Sequence, residues 1–121
     1  MTTLEHKHCL PCEGFGSTLD PKTAQNHLQQ LASHWQISPD NKSIYSDFKF
    51  KNYYHVMAFI NALAWIAHHE NHHPDLEVGY NHCLVRYSTH ALGGLTENDF
   101  ICAAKTDAAY QPYTDKYKEL K

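Results

Sequence analysis

Apolar residues recur along the chain with two periods, and each change of period marks a new element. Ala24, Leu28, Leu31 and Ala32 form a stripe at helical spacing. It starts behind Asp20-Pro21, where Asp20 can cap free amides and Pro21 takes the first helical position without losing a bond. This predicts a helix ending near Ser33. Trp35-Gln36-Ile37 and Ile44–Phe50 alternate instead, with Ile44, Phe48 and Phe50 on one face. Around the Pro39-Asp40-Asn41-Lys42 turn they predict a hairpin with one buried side. Asn52 then caps the longest helix, which runs to about His72 on a stripe of Tyr53, Val56, Met57, Ile60, Leu63, Ala64 and Ala67. Pro74 enforces its stop by pushing His73 out of helical geometry.

Leu76–Tyr80 and Cys83–Thr89 predict a second hairpin around Asn81-His82, with Asn81 supplying the positive φ of a tight turn. Gly93-Gly94 reads as a loop, and Thr96 caps a last helix through Ala103, Ala104 and Ala108 to about Tyr110. Gln111-Pro112 interrupts it, and the charged tail to Lys121 is solvated or weakly helical. The order α-β-β-α-β-β-α, without parallel crossovers, predicts an α+β fold: a four-stranded antiparallel sheet with three helices on one face. The other face must meet water or a second subunit.

Length and composition narrow the class. At 121 residues and 42% hydrophobic, the chain fits a single domain over 19–121, with residues 1–18 as a flexible or loosely docked extension. A net charge of -3 without a basic run argues against a nucleic-acid partner. No apolar run reaches the ~20 residues of a membrane helix, and Met1–Glu5 is no signal peptide, so a cytoplasmic protein is expected. The four cysteines are then read as reduced thiols. Cys9-Leu10-Pro11-Cys12 alone is a weak signal: zinc needs two further ligands, and Gly14 and Gly16 argue against the helix a redox motif requires.

Histidine is the compositional outlier, with eleven. His6, His8, His27, His34, His55 and His82 carry no spacing that favours a site and read as ordinary surface residues. His72 and His73 close the long helix, His90 ends a strand, and Asp99 falls in the first turn of the last helix. Element ends are where chains place chemistry, and imidazole moves protons at neutral pH because its unperturbed pKa is about 6.5. Two plainer readings compete. A histidine-rich helix end is also what the helix dipole favours, and Thr96-Glu97-Asn98-Asp99 is also a capping box. His69-Glu70-Asn71-His72-His73 matches the zinc-hydrolase pattern H-E-x-x-H, but Pro74 cuts the helix short and the chain has no room for a peptide-binding domain.

Taken together, His72-His73-Pro74, Tyr80, Ser88-Thr89-His90 and Gly94-Leu95-Thr96-Glu97-Asn98-Asp99 resemble the pterin-4a-carbinolamine dehydratase family. Phe48-Lys49-Phe50-Lys51-Asn52 ahead of the long helix resembles it too, and the likeness covers roughly residues 20–108. The opening CxxC segment is similar to an extension on bacterial members. The resemblance implies dehydration of 4a-hydroxytetrahydrobiopterin to quinonoid dihydropterin, in tetrahydrobiopterin recycling, without metal or cofactor. It implies His72 and His90 as the catalytic acid/base pair and Asp99 as the supporting carboxylate. His73, Pro74, Ser88 and Thr89 are its implied pterin-binding residues, and a homodimer or homotetramer its assembly. One departure is His68, at a position often acidic in the family, where histidine cannot serve as a permanent anion. A module that stabilises another protein's dimer is the reading of a different class, and the presence of all the histidines favours the enzyme.

Overall fold

The computed structural model describes residues 3–11, 17–32 and 34–114. The elements are α1 (Pro21–Leu28), β1 (Gln36–Ile37), β2 (Ile44–Lys49), α2 (Tyr53–Glu70), β3 (Asp75–Val78), β4 (His82–Tyr87) and α3 (Glu97–Tyr110), with short 3-10 turns at Leu4–His6, His90–Leu92 and Gln111–Tyr113. The expected order and the α+β class are therefore present. The strands form one antiparallel sheet in the order β1-β2-β4-β3.

Strand alternation decides the layers. Ile44, Ser46 and Phe48 of β2 and Cys83, Val85 and Tyr87 of β4 turn to the helices and are buried. The opposite face carries Tyr45, Asp47 and Lys49 beside Arg86, Leu84 and His82. Arg86 lies over the Tyr45 ring at 4.9 Å, and Asp47 pairs with both Lys49 and His82. This face is polar, and among the described residues the large exposed apolar side chains lie elsewhere: Leu10 near the N-terminus, Tyr53, Tyr54 and Trp65 on α2, and Val78 and Tyr80 beside the β3 edge. The core gathers Trp35, Phe48, Phe50 and Phe59 against α3, and Tyr87 places its hydroxyl 2.8 Å from that of Thr106.

The first two of the three helix starts read from sequence are capped as expected, since Asp20 accepts from the Thr23 amide and Asn52 from the His55 amide. The stops differ. α1 ends at Leu28, so Leu31 is buried from a turn and Ala32 is exposed. α2 ends at Glu70 because Asn71 adopts the left-handed conformation, φ 52° and ψ 42°, ahead of Pro74. On α2 the buried residues are Val56, Phe59 and Leu63; Phe59 is one position off the expected stripe, while Tyr53 and Ala64 are exposed. Positive φ occurs at Asn41, in the first hairpin, rather than at Asn81. The second hairpin closes instead through the Gly79 amide on the His82 carbonyl.

Residues 3–11 were expected to be flexible or loosely docked, and they lie against α3 with Leu4 in the core. Cys12, and with it the CxxC pair, lies outside the described residues, as do Ser33 and the tail from residue 115.

Candidate active site

The site assembles where α2 ends, β4 ends and α3 begins. At the α2 end the left-handed turn at Asn71 separates two consecutive histidines: His72 is 9% exposed, and His73 stands in solvent. After β4 the chain makes the His90–Leu92 turn, which closes through Gly93 at φ 71°. Thr89 and Gly94 then bond to each other, Thr89 N–H to Gly94 O at 2.8 Å. That closure brings Thr89 over the start of α3.

Asp99 is fully buried there and is saturated with donors. Its Oδ2 accepts from the Thr96 amide and from Thr89 Oγ1, each at 2.9 Å, and its Oδ1 lies 2.6 Å from His72 Nε2. Thr96 Oγ1 sits 2.8 Å from Thr89 Oγ1, completing a closed polar cluster. The capping box is thus real, and its carboxylate also orients the histidine: the two readings of Asp99 are one arrangement. The His72 ring lies nearly parallel to Tyr87, with centroids 6.2 Å apart and planes at 12°. With Nε2 committed to Asp99, Nδ1 is the nitrogen left to exchange a proton.

The other two histidines form the open half. His73 and His90 stack with centroids 6.2 Å apart, and His90 Nε2 lies 3.6 Å from Asp75 Oδ2 and 3.5 Å from Ser88 Oγ. Sequence reasoning missed Asp75. The signal was available in the strand period, because Asp75 opposes Arg86 and so shares a sheet face with the position where Ser88 leaves β4. Thr89 is 1% exposed with its hydroxyl spent on Asp99 and Thr96, which suits holding the carboxylate rather than touching a ligand. His68 stacks on Trp65 on the exposed side of α2. Within His69-Glu70-Asn71-His72-His73 the helix has already ended, and Glu70 binds the Cys9 amide, His8 and Lys105. The two outer histidines of that pattern share no helical face.

A cleft of about 390 Å³ opens beside His72, between the end of α2 and residues 9–11, with Asn98 contributing to its lining. A larger one, about 800 Å³, lies between the Leu4–His6 turn and the far part of α3 and is lined by none of the site residues.

Comparison with known proteins decides the family. Residues 17–109 match the family described as Pterin 4 alpha carbinolamine dehydratase. The chain belongs to the pterin-4-alpha-carbinolamine dehydratase family. A relative from Legionella pneumophila (strain Corby), provisionally named as such a dehydratase, is 59% identical over 104 residues, spanning 86% of this chain and 92% of its own. One from Nitrosomonas eutropha is 57% identical over 104 residues, or 86% of this chain and 90% of its own. Among solved structures, a transcriptional coactivator/pterin dehydratase from Brucella melitensis superimposes with a TM-score of 0.73 at 30% identity, over 77% of this chain and 98% of that one. A pterin dehydratase-like protein described as a RuBisCO assembly factor shares the fold, with a TM-score of 0.55 at 24% identity, over 62% of this chain and 87% of its own. As a member of this dehydratase family the chain is an enzyme of the carbon–oxygen lyase kind. Among the described residues, no helix is long and apolar enough to cross a membrane.

Proposed function

We propose that the chain dehydrates 4a-hydroxytetrahydrobiopterin to quinonoid dihydropterin, the step that returns oxidised pterin to recycling, by histidine acid/base catalysis. The observation that carries this reading is the buried His72–Asp99 pair set next to the stacked His73–His90 pair. The reaction breaks the C4a–O bond, removes the proton on N5 and forms a C4a=N5 double bond, with water leaving. It needs a proton delivered to the hydroxyl and another taken from the nitrogen. His72 takes the N5 proton on Nδ1, while Asp99 holds the ring by Nε2 and compensates the charge that develops on it. His90, with Asp75 beside it, delivers a proton to the departing hydroxyl. His73 holds the pterin with Pro74 and Ser88, and Thr89 positions Asp99. No step calls for a metal or an organic cofactor.

The chain acts as a homodimer or homotetramer, and the support is the apolar surface left on α2 and at the β3 edge rather than the polar sheet face. The Brucella structure is described as a transcriptional coactivator as well as a pterin dehydratase, which supports a second, protein-binding reading. Turnover of chemically generated 4a-hydroxytetrahydrobiopterin tests the proposal. Acceleration over the spontaneous reaction is expected, and a folded protein that gives none refutes it.

A further inference from the structure

The segment Cys9–Pro11 lies outside the region matched to the family, which begins at residue 17, yet it is held against the site by an unusual commitment of buried polar groups. Asn98 is 2% exposed and spends its whole amide on one residue of this segment. The Leu10 amide donates to Asn98 Oδ1 at 2.9 Å, and Asn98 Nδ2 donates to the Leu10 carbonyl at 2.7 Å. One residue earlier, the Cys9 amide donates to Glu70 Oε1 at 2.7 Å, and the Cys9 thiol points to the Asn98 carbonyl at 3.7 Å.

These anchors stand beside the chemistry: Glu70 ends α2 just before His72, and Asn98 immediately precedes Asp99. The Leu10 side chain, by contrast, is 55% exposed. The Leu10 backbone is therefore fixed without its own side chain being buried, which is how a wall is held rather than how a core is filled. Pro11 follows, with no amide left to satisfy. The cleft between this segment and residues 69–72 holds about 390 Å³, within the range of small-molecule sites, and His72 opens into it.

We propose that Cys9–Pro11 is a strap that extends the pterin site past His72, the residue this cleft shares with the histidine cluster, and that Asn98 is the positioning residue that sets its distance from His72. The inference rests on the dehydratase reading above. The part of the substrate that reaches past His72 is then bounded by Leu10 and Pro11 on the strap side and by the α2 end on the other. The strap contributes to ground-state and transition-state binding alike, so its loss raises KM and leaves kcat.

The test uses the full chain with Asn98→Ala and Leu10→Pro. The second removes the donor to Asn98 Oδ1 at an exposed side chain, so it decides alone if the first fails to fold. Turnover is measured together with the calorimetric Kd of 7,8-dihydrobiopterin, a stable stand-in for the substrate. In each variant KM and Kd are expected to rise about tenfold, the scale of one or two lost hydrogen bonds, with kcat within about twofold of the parent. Unchanged KM and Kd in a folded variant overturn the strap. A fall in kcat at constant KM also overturns it, since Asn98 would then act through Asp99. A parent that binds dihydrobiopterin without turning over refutes the catalytic reading and leaves the Kd series to judge the strap. A parent that does neither sinks both.

Discussion

Replacing Asp99 by Asn separates what this carboxylate does for catalysis from what it does for the fold. Asp99 faces three donors, the Thr96 amide, Thr89 Oγ1 and His72 Nε2–H. An amide offers one oxygen and one NH₂ group. With the oxygen toward Thr96 and Thr89, two donors are satisfied and the NH₂ meets His72 Nε2, which must then become an acceptor. The imidazole proton moves to Nδ1, the nitrogen assigned to take the substrate proton. With the oxygen toward His72, the NH₂ faces the Thr96 amide and the helix cap is lost. Two satisfied donors outweigh one, so the first orientation is expected. The stability loss is then only the exchange of charged for neutral hydrogen bonds, about 1 kcal/mol, or roughly 3–6 °C in Tm for a domain of this size. Turnover suffers more, because the base is held in the wrong tautomer: kcat should fall about 10²–10⁴-fold, the usual worth of a positioned acid/base group. Stopped-flow decay of 4a-hydroxytetrahydrobiopterin gives kcat and KM, and circular dichroism gives Tm. In His72→Ala/Asp99→Asn the second change should cost nothing further, since the carboxylate acts only through the ring. A folded Asp99→Asn enzyme with kcat within threefold of the parent would refute the reasoning.

Four other expectations follow from the same geometry. His72→Ala and His90→Ala should each lower kcat while His73→Ala acts on KM, and a double His72→Ala/His90→Ala variant that keeps parental turnover removes histidines from the proton path. His82→Ala is the proper control, whereas His27 is not, because its ring is the more buried of the two and packs on Phe100. Burial pushes the Glu70 carboxyl up, but the Cys9 amide, His8 and Lys105 outweigh it and hold the group below the usual carboxylate range. Its contribution is therefore present above the unfolded pKa of about 4.3 and lost as pH falls through the lower folded value, so protection of the Cys9 amide relative to its free-peptide exchange rate should hold down to that unfolded value and fall only below it; protection already lost at pH 6 counts against that anchor. Exhaustive chelation should leave the rate unchanged, and zinc-restored activity after a loss would revive the hydrolase pattern. Light scattering at micromolar concentration should report a dimer or tetramer, and a monomeric mass would argue that Trp65 and Tyr54 are simply solvated.

Those elements whose signal is local were legible in the chain. Asp20, Asn52 and Thr96 begin helices for reasons contained within four residues, and the alternation of Ile44, Phe48 and Phe50 settles which sheet face is buried. What escaped was decided by contacts distant in sequence. Asn71 is an ordinary polar residue until the chain must turn to bury His72 and expose His73. Leu4 belongs to the core only because α3 offers it a place, and nothing in residues 1–11 announces that Asn98 and Glu70 will hold their backbone. The polarity of the outer sheet face came from register, through Arg86 over Tyr45 and His82 against Asp47, whereas the strand period alone left that face open to water or a second subunit.

The histidines show the same division at the level of the site. Spacing placed His27, His34 and His82 among ordinary surface residues, yet each meets a carboxylate: Glu97, Asp107 and Asp47. An acidic neighbour therefore does not distinguish a catalytic imidazole in this chain. Burial does. In the His72–Asp99 pair the side chains are 8% and 0% exposed, against 40% and 35% for His82–Asp47 and 65% and 61% for His90–Asp75. The attraction between two charges 4 Å apart is about 1 kcal/mol in water and about 4 kcal/mol at the effective dielectric of a protein site. A proton arriving on His72 is thus compensated by Asp99 at little screening cost, while one arriving on His82 is compensated mostly by solvent. His90 is more exposed than either, and in the proposed reaction that openness lets it trade protons with a departing hydroxyl and water. A buried, fixed acceptor beside an exposed, replenished donor is the asymmetry that the proposed dehydration asks of its two imidazoles.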